Sequence, residues 1–411
     1  MTRIVDAAPS RAHSVRACDR LKGFVLACAF GAAPAFAQTD TAPAAGPVYD
    51  LLVGTYTTGG KSQGIHVYRF DSATGRATPI SSAETVNPSY LVVSRDARHV
   101  YAVNELPGDA GPATERGGIS AFTFEPSSGR LTFVNRVSSE GNDPCYLSFS
   151  PDGRYLLAAN YSVAADPGGS FAVFPLLDDG RVGAAALVVH HTGGGPVKGR
   201  QDNAHVHSTV FTPDGRYLFT QDLGADKLYE YRYTRDGSRG LVSPTPEGYV
   251  PMPPGSGPRH LVFDAAGRYA YLTSELAGTV TTLQYANGRL TPLKTLTLAA
   301  SGFKGQNGAG AIHLSADGKF LYATNRGDAN EIVIFSIDPY DGLPKLVGRQ
   351  STLGRTPREF AIDPTGRWLI VGNQDSDTAY VFRRDPATGL LEHPTRLDIG
   401  SPVDFKFTPS S

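Results

Sequence analysis

The chain has 411 residues, 40% of them hydrophobic and 19% charged, with a formal charge of −1 at neutral pH. That is enough apolar material for a large core and excludes a disordered chain, while the balanced charge, without a Lys/Arg run, excludes a nucleic-acid surface. The 46 glycines and 30 prolines suit many short strands joined by tight turns, and they do not suit long helices.

The first element is a leader. Arg11, Arg16, Arg20 and Lys22 precede an apolar stretch, Gly23 to Ala37, that ends Ala35-Phe36-Ala37. A positive region, a short apolar region and a small-residue cleavage site predict a secretory signal peptide over residues 1–37, cut after Ala37. The stretch is too short to span a bilayer, so a periplasmic or secreted protein, free of the membrane once the signal is removed, is expected. Cys18 and Cys28 leave with the leader, so Cys145 alone remains and no internal disulfide is expected. Residues 38–48 are read as a linker and 49–411 as one domain.

Within that domain one pattern recurs: a proline, alternating residues, a turn containing Asp-Gly-Arg, an aromatic, then an apolar strand ending in Asn, Asp or Glu. Its clearest copy runs from Pro144 to Asn160, and the others begin at Pro88, Val206, Pro258, Ala309 and Pro357. The turn positions Arg98, Gly153, Gly215, Gly267, Gly318 and Gly366 are spaced by 48 to 62 residues. Each copy predicts a hairpin, a third strand such as Ile332–Ile337, and a fourth after a further turn. Four antiparallel strands repeated at this period make a propeller blade.

Six turn motifs suggest six blades, but the chain ends add one. Ser401–Phe407 reads as a first strand without a partner, and Tyr49–Tyr56 opens a blade that lacks its first strand. Joined, they predict an all-β, seven-bladed propeller with four antiparallel strands per blade, closed by its own ends. Trp368 is the sole tryptophan, so this is not a Trp-Asp repeat array.

In a propeller the innermost strands line a central channel, so two positions per blade carry chemistry: the residues after the opening proline and the end of the next strand. The starts read His205-Val-His207-Ser208, Pro258-Arg259-His260, Ala311-Ile-His313 and Pro357-Arg358-Glu359. The strand ends read Asn104-Glu105, Asn160-Tyr161, Gln221-Asp222, Ser274-Glu275, Asn325-Arg326 and Asn373-Gln374. His207, Arg259, His260, Glu275, His313 and Arg326 are therefore expected to meet from four consecutive blades at one end of the channel. A neutral histidine can take a proton from water, arginines can stabilise a carbonyl oxyanion, and a glutamate can orient the histidine or shuttle the proton. No serine stands in a G-x-S-x-G setting, which disfavours a covalent nucleophile. The turn Asp-Gly residues are read as structural, and strand-end Asn104, Asn160 and Asn373 as caps. His66, His99 and His393 are read as surface residues. His190 and His191 open a Gly-rich loop and are not taken as a metal site.

On these residues the chain resembles the propeller lactonase family, which includes bacterial 6-phosphogluconolactonases and carboxy-muconate cyclases. The resemblance covers about Leu51 to Phe407. It rests on Val53-Gly-Thr-Tyr-Thr57, Gly195-Pro196, Arg200-Gln201, His205-Val-His207, Gly257-Pro-Arg-His260, Glu275-Leu276, His313 and Pro357-Arg358 with Phe360. What it implies is a seven-bladed enzyme needing no organic cofactor, acting on a lactone or forming one; a monomer without a metal, working on a small-molecule lactone or sugar acid, is expected. His207, Arg259 and Glu275 would be catalytic, and Arg200, His205, His260, His313, Arg326 and Arg358 would bind substrate. An exported enzyme would not meet a cytoplasmic phosphorylated lactone, which points toward a neutral sugar lactone. Two other readings stay open: a lactone-forming cyclase at the same residues, and a non-enzymatic secreted propeller that binds a ligand. A metal-dependent six-bladed lactonase fits less well, because clustered acidic ligands are not apparent.

Overall fold

The computed structural model describes residues 46–107, 116–162, 168–235 and 241–410. The expected leader, residues 1–37, lies outside the described residues, as does most of the expected linker. The propeller unit spans Ala45–Ser411.

Among the described residues, β1 to β28 form seven four-stranded antiparallel sheets. The innermost strands are β4 (Leu91–Val93), β8 (Pro144–Phe149), β12 (Val206–Phe211), β16 (Pro258–Phe263), β20 (Asn307–Leu314), β24 (Pro357–Ile362) and β28 (Pro402–Pro409). Each contacts the next around the ring, and β28 contacts β4 to complete it. Six sheets follow chain order. The seventh has the order β28-β1-β2-β3, where β1 is Val48–Thr55, β2 is Gly64–Asp71 and β3 is Arg76–Glu84. The seam is thus the one expected: β28 pairs antiparallel with β1, from Tyr49 opposite Pro409 to Thr55 opposite Pro402.

The hairpin turns explain the repeat. Ser150 Oγ donates to Asp152 Oδ1 at 2.6 Å and accepts from the Tyr155 N–H at 3.0 Å, fixing the reversal between β8 and β9 (Tyr155–Asn160). Thr212 and Ser315 make the same bonds in their turns. The residue after the turn aspartate must adopt positive φ, which glycine does without steric cost. Gly153 sits at 70°, and the corresponding residue of the first copy is Ala97 at 55° rather than Arg98, so that turn lies one residue earlier than expected. A non-glycine residue there carries strain that the Ser94–Asp96 bonding offsets.

Burial follows radius. The second strands, β9 together with β5 (His99–Asn104), β13 (Tyr217–Asp222), β17 (Tyr269–Ser274) and β25 (Trp368–Asn373), are buried over all but their first residue. Both faces of such a strand meet a neighbouring blade, so it reads as a continuous apolar run. The outermost strands β3, β19 (Arg289–Thr297) and β27 (Leu391–Asp398) alternate or lie exposed. The core is therefore a set of inter-blade layers. One packs Leu52, Ile65 and Val67 of the seam blade against Leu91, Val100 and Phe122 of the next.

Candidate functional site

The sequence places one functional side chain per blade by a single device. In β8, β12, β16 and β24 the register slips immediately after the opening residue, so that Cys145, His207, Arg259 and Arg358 each occupy the extra position of a β-bulge. A bulge re-aims the inserted side chain and breaks the strict alternation of a strand. Three of them, Cys145, His207 and Arg358, line the same cavity, and Arg259 lies buried behind it, bonded to His207 and Glu275. The second contribution comes from the residue just past the next strand, which supplies Glu105, Tyr161 and Glu275; Arg326 holds the same place within β21 (Phe320–Gly327).

These residues meet at a cavity of about 370 Å³, lined by Cys145, Tyr161, Arg200, His205, His207, Glu275, Arg326 and Arg358, with Glu105, Asp143 and Gly199. A neighbouring depression of about 550 Å³ shares Arg200, Glu275 and Arg326 with it. Glu275 is the hub. Its Oε1 accepts from Arg200 at 2.5 Å, and its Oε2 accepts from Arg259 at 3.2 Å and is ion-paired with Arg326 at 2.7 Å. Arg259, buried, also donates through Nη1 to His207 Nε2. Arg200 comes from the long loop before β12. Gln201 pins that loop, donating to the Leu223 carbonyl at 2.8 Å and accepting from the Val197 N–H at 3.2 Å.

The electrostatics follow from burial and the arginines. Burial opposes ionisation of Glu275, but Arg326, then Arg259, His207 and Arg200 outweigh it and hold the carboxyl well below the usual range. Burial first, and the Arg259 charge second, push His207 well below the ordinary histidine value. An arginine only donates, so Nε2 of the neutral imidazole is the acceptor and its proton resides on Nδ1. Burial lowers Arg259 to about 10, which leaves it charged at neutral pH. Burial raises the Cys145 thiol far above its usual value, so it is no nucleophile.

Of the expected site residues, His207, Arg259, Glu275, Arg200, Arg326, Arg358 and His205 are brought together. His205 lines the pocket through a ring stacked on Tyr161 at 4.5 Å, its Nδ1 2.8 Å from the Tyr161 carbonyl oxygen. His260 does not line it. It lies buried with its ring 5.2 Å from that of His207 and its Nδ1 3.9 Å from Glu359. His313 does not join the cluster either. It pairs with Glu359 at 2.6 Å, with its side chain 39% exposed. It stands opposite Tyr322, four residues along β20 from the Ala309–Asn325 pair beside Arg326, on the order of 10 Å at the rise of a strand. The blade count also needs correction. His207, Arg259, His260, Glu275, His313 and Arg326 come from three consecutive blades, because Glu275 ends the hairpin that Arg259 opens; Arg358 supplies the fourth.

The sequence reading missed Glu105, Tyr161 and Cys145 as site residues. Their signal was the repeat itself: Cys145 sits where His207 does, and Glu105 and Tyr161 sit where Glu275 does. His191 is buried and structural, bonded to Asp222 at 2.8 Å and Tyr231 at 2.9 Å. Among the described residues no group of three or more His, Cys, Asp or Glu is placed to hold a metal ion. Nor is any described helix long and apolar enough to cross a membrane.

The two buried histidines predict a pH dependence of stability. Folded His207 and His260 stay neutral, both held well below 6.5, while the unfolded chain takes up protons near that value. The unfolded state then binds more protons, so stability rises with pH and their contribution is lost as pH falls below about 6.5. Asp50, raised by burial to about 6, acts with the opposite sign between 3.8 and that value. The measurement is therefore the difference between wild type and His207→Gln/His260→Gln in urea midpoint at pH 7.5 and pH 5.5. The wild type is expected to lose more on acidification; equal losses would refute the assignment.

A ring of seven antiparallel blades with a histidine, arginine and glutamate cluster at one mouth of its channel defines a propeller with an enzyme-like polar centre. The model of the family described as "Lactonase, 7-bladed beta-propeller" matches residues 50–407, and the chain belongs to that family. It is 37% identical to the 6-phosphogluconolactonase of Formosa agariphila, over 83% of this chain and 94% of the relative. It is 34% identical to that of Bacillus subtilis, over 87% and 98%. The structure of the Pseudomonas aeruginosa periplasmic gluconolactonase is similar with a TM-score of 0.84 and 46% identity, covering 89% of this chain and all of that one.

Proposed function

We propose that this chain hydrolyses a sugar-type lactone, with His207 as general base and Arg259 as oxyanion donor. The observation that carries the reading is the contact between a neutral imidazole and a buried, charged arginine beside an ionised glutamate. When the lactone carbonyl oxygen takes the Arg259 N–H, the Nε2 lone pair of His207 is released toward water. The water oxygen bonds to the carbonyl carbon as its proton passes to Nε2, and the oxygen becomes an anion facing Arg259. Collapse breaks the ring C–O bond, and the departing alkoxide takes the proton from Nε2. The product is the open hydroxy acid, and His207 is again neutral. Glu275, saturated by three arginines, is a positioning residue: it fixes Arg200, Arg259 and Arg326 and is a poor proton acceptor.

The names of the relatives support the reaction class, and the leader-like segment with the periplasmic relative supports export. The test is acid release from glucono-δ-lactone by residues 38–411, above the spontaneous rate and with or without EDTA. Hydrolysis insensitive to EDTA is expected, and Arg259→Met is expected to lower kcat by about 10²–10³-fold, the loss typical of an oxyanion donor. A folded protein silent on every lactone would favour a ligand-binding propeller instead.

A further inference from the structure

Besides Glu275, two further carboxylates line the pocket, Asp143 and Glu105. Glu105 follows β5, with its side chain 17% exposed and facing the cavity. Its backbone is fixed: its N–H donates to the Asn87 carbonyl at 3.1 Å, and its carbonyl accepts from Asn87 Nδ2 at 3.0 Å. Oε1 accepts from the Tyr56 hydroxyl at 2.7 Å, while Oε2 accepts from the Ser89 hydroxyl and lies 3.4 Å from Arg358 Nη2. Arg358 is held in turn over the Tyr56 ring, 5.3 Å from its centre. An ionised carboxylate has about four acceptor sites. These three donors leave acceptor capacity on a carboxylate that lines the cavity.

The distribution of charge around the cavity is equally informative. Its lining cations are Arg200, Arg326 and Arg358, and each is already bonded to a carboxylate, the first two to Glu275 and the third to Glu105. Arg259, behind them, is bonded to Glu275 as well. A phosphate dianion would add negative charge to a lining whose three arginines are already matched by the three carboxylates Glu105, Asp143 and Glu275, and it would compete with them for the arginine N–H groups. A neutral polyol finds the reverse: hydroxyl donors suit the open acceptor sites of Glu105, and such charge-assisted bonds are the stronger ones.

Resting on the lactonase reading, we infer that Glu105 is a specificity-determining residue, which accepts hydroxyls of an unphosphorylated sugar lactone and disfavours a phosphorylated one. Repulsion by like charge is a general way to set specificity.

The experiment compares kcat/KM for glucono-δ-lactone and 6-phosphoglucono-δ-lactone in wild type, Glu105→Gln and Glu105→Asp, each checked for folding by thermal melting. Wild type is expected to favour the neutral lactone. Glu105→Gln removes the charge, and the preference is expected to shift toward the phosphorylated lactone by about 10- to 100-fold, mainly through KM for the neutral one. Glu105→Asp keeps the charge but shortens the reach, so it should lose rate on the neutral lactone without gaining on the phosphorylated one. A wild type that prefers the phosphorylated lactone, or a Gln variant that lowers both substrates equally, overturns the assignment while leaving lactone hydrolysis intact. A folded wild type that hydrolyses neither lactone overturns the lactonase reading, and this assignment with it.

Discussion

Replacing His207 by glutamine is expected to lower kcat for lactone hydrolysis by about 10²–10⁴-fold, the range lost with a general base, while KM stays within a few-fold. Because His207 is held neutral well below its ordinary value, wild-type kcat/KM should show no fall between pH 8 and pH 6. A limb near 6.5 would mean that the working base is elsewhere. Glu275→Gln separates the two candidate bases. Glu275 bonds Arg200, Arg259 and Arg326, so its loss leaves a buried arginine without its counter-charge. That should cost about 3–5 kcal/mol of stability as well as rate. The His207 variant should lose rate with little loss of stability. Urea denaturation beside steady-state kinetics resolves the pair: a Glu275→Gln protein of wild-type stability and a His207→Gln protein of wild-type rate would reverse the assignment.

Deleting 402–411 is expected to abolish both folding and activity. β28 buries Val403 and Phe405, and Asp404 accepts from the Leu91 N–H of β4 at 2.7 Å, which ties the seam blade to its neighbour. Without it β1 becomes an open edge beside the channel. One Phe→Ala core truncation costs about 3–5 kcal/mol, and losing the whole strand approaches the roughly 5–15 kcal/mol stability of a typical domain. Phe405→Ala provides the graded version and should lower the melting temperature while retaining the fold. A synthetic peptide of residues 401–411 added to the truncated chain should restore activity by strand addition. A truncated chain that is fully active unaided would show that closure does not build the site.

Much of this was legible because the fold repeats. The Asp-Gly turns marked the hairpins, and the unpaired Ser401–Phe407 strand gave the seventh blade. The two repeat positions held Cys145, His207, Arg259 and Arg358, and Glu105, Tyr161, Glu275 and Arg326. What the repeat could not show was direction. Strict alternation would send Arg259 and His260 to opposite faces, yet the bulge at Pro258/His260 lets both reach residues of other inner strands. Depth was equally hidden: His313 shares residue type and strand with the expected set but stands farther along the channel. Arg200 belongs to no repeat, and only the resemblance named it, since a loop residue meets Glu275 through tertiary folding alone. Glu105 is legible only as a strand end, because its pairing with Tyr56 of the neighbouring blade is invisible along the chain.

The seam has a mechanical consequence. In the β1–β28 pair, Tyr49 lies opposite Pro409, so the strand ends that lead out of the ring are neighbours. Tension applied at Val48 and Pro409 would load the ladder one hydrogen bond at a time, in the manner of a zipper, instead of shearing all of them together. The propeller should therefore resist heat as a cooperative ring yet open under a small pulling force at this one joint, and the His207–Arg259–Glu275 centre would come apart only after the joint had parted.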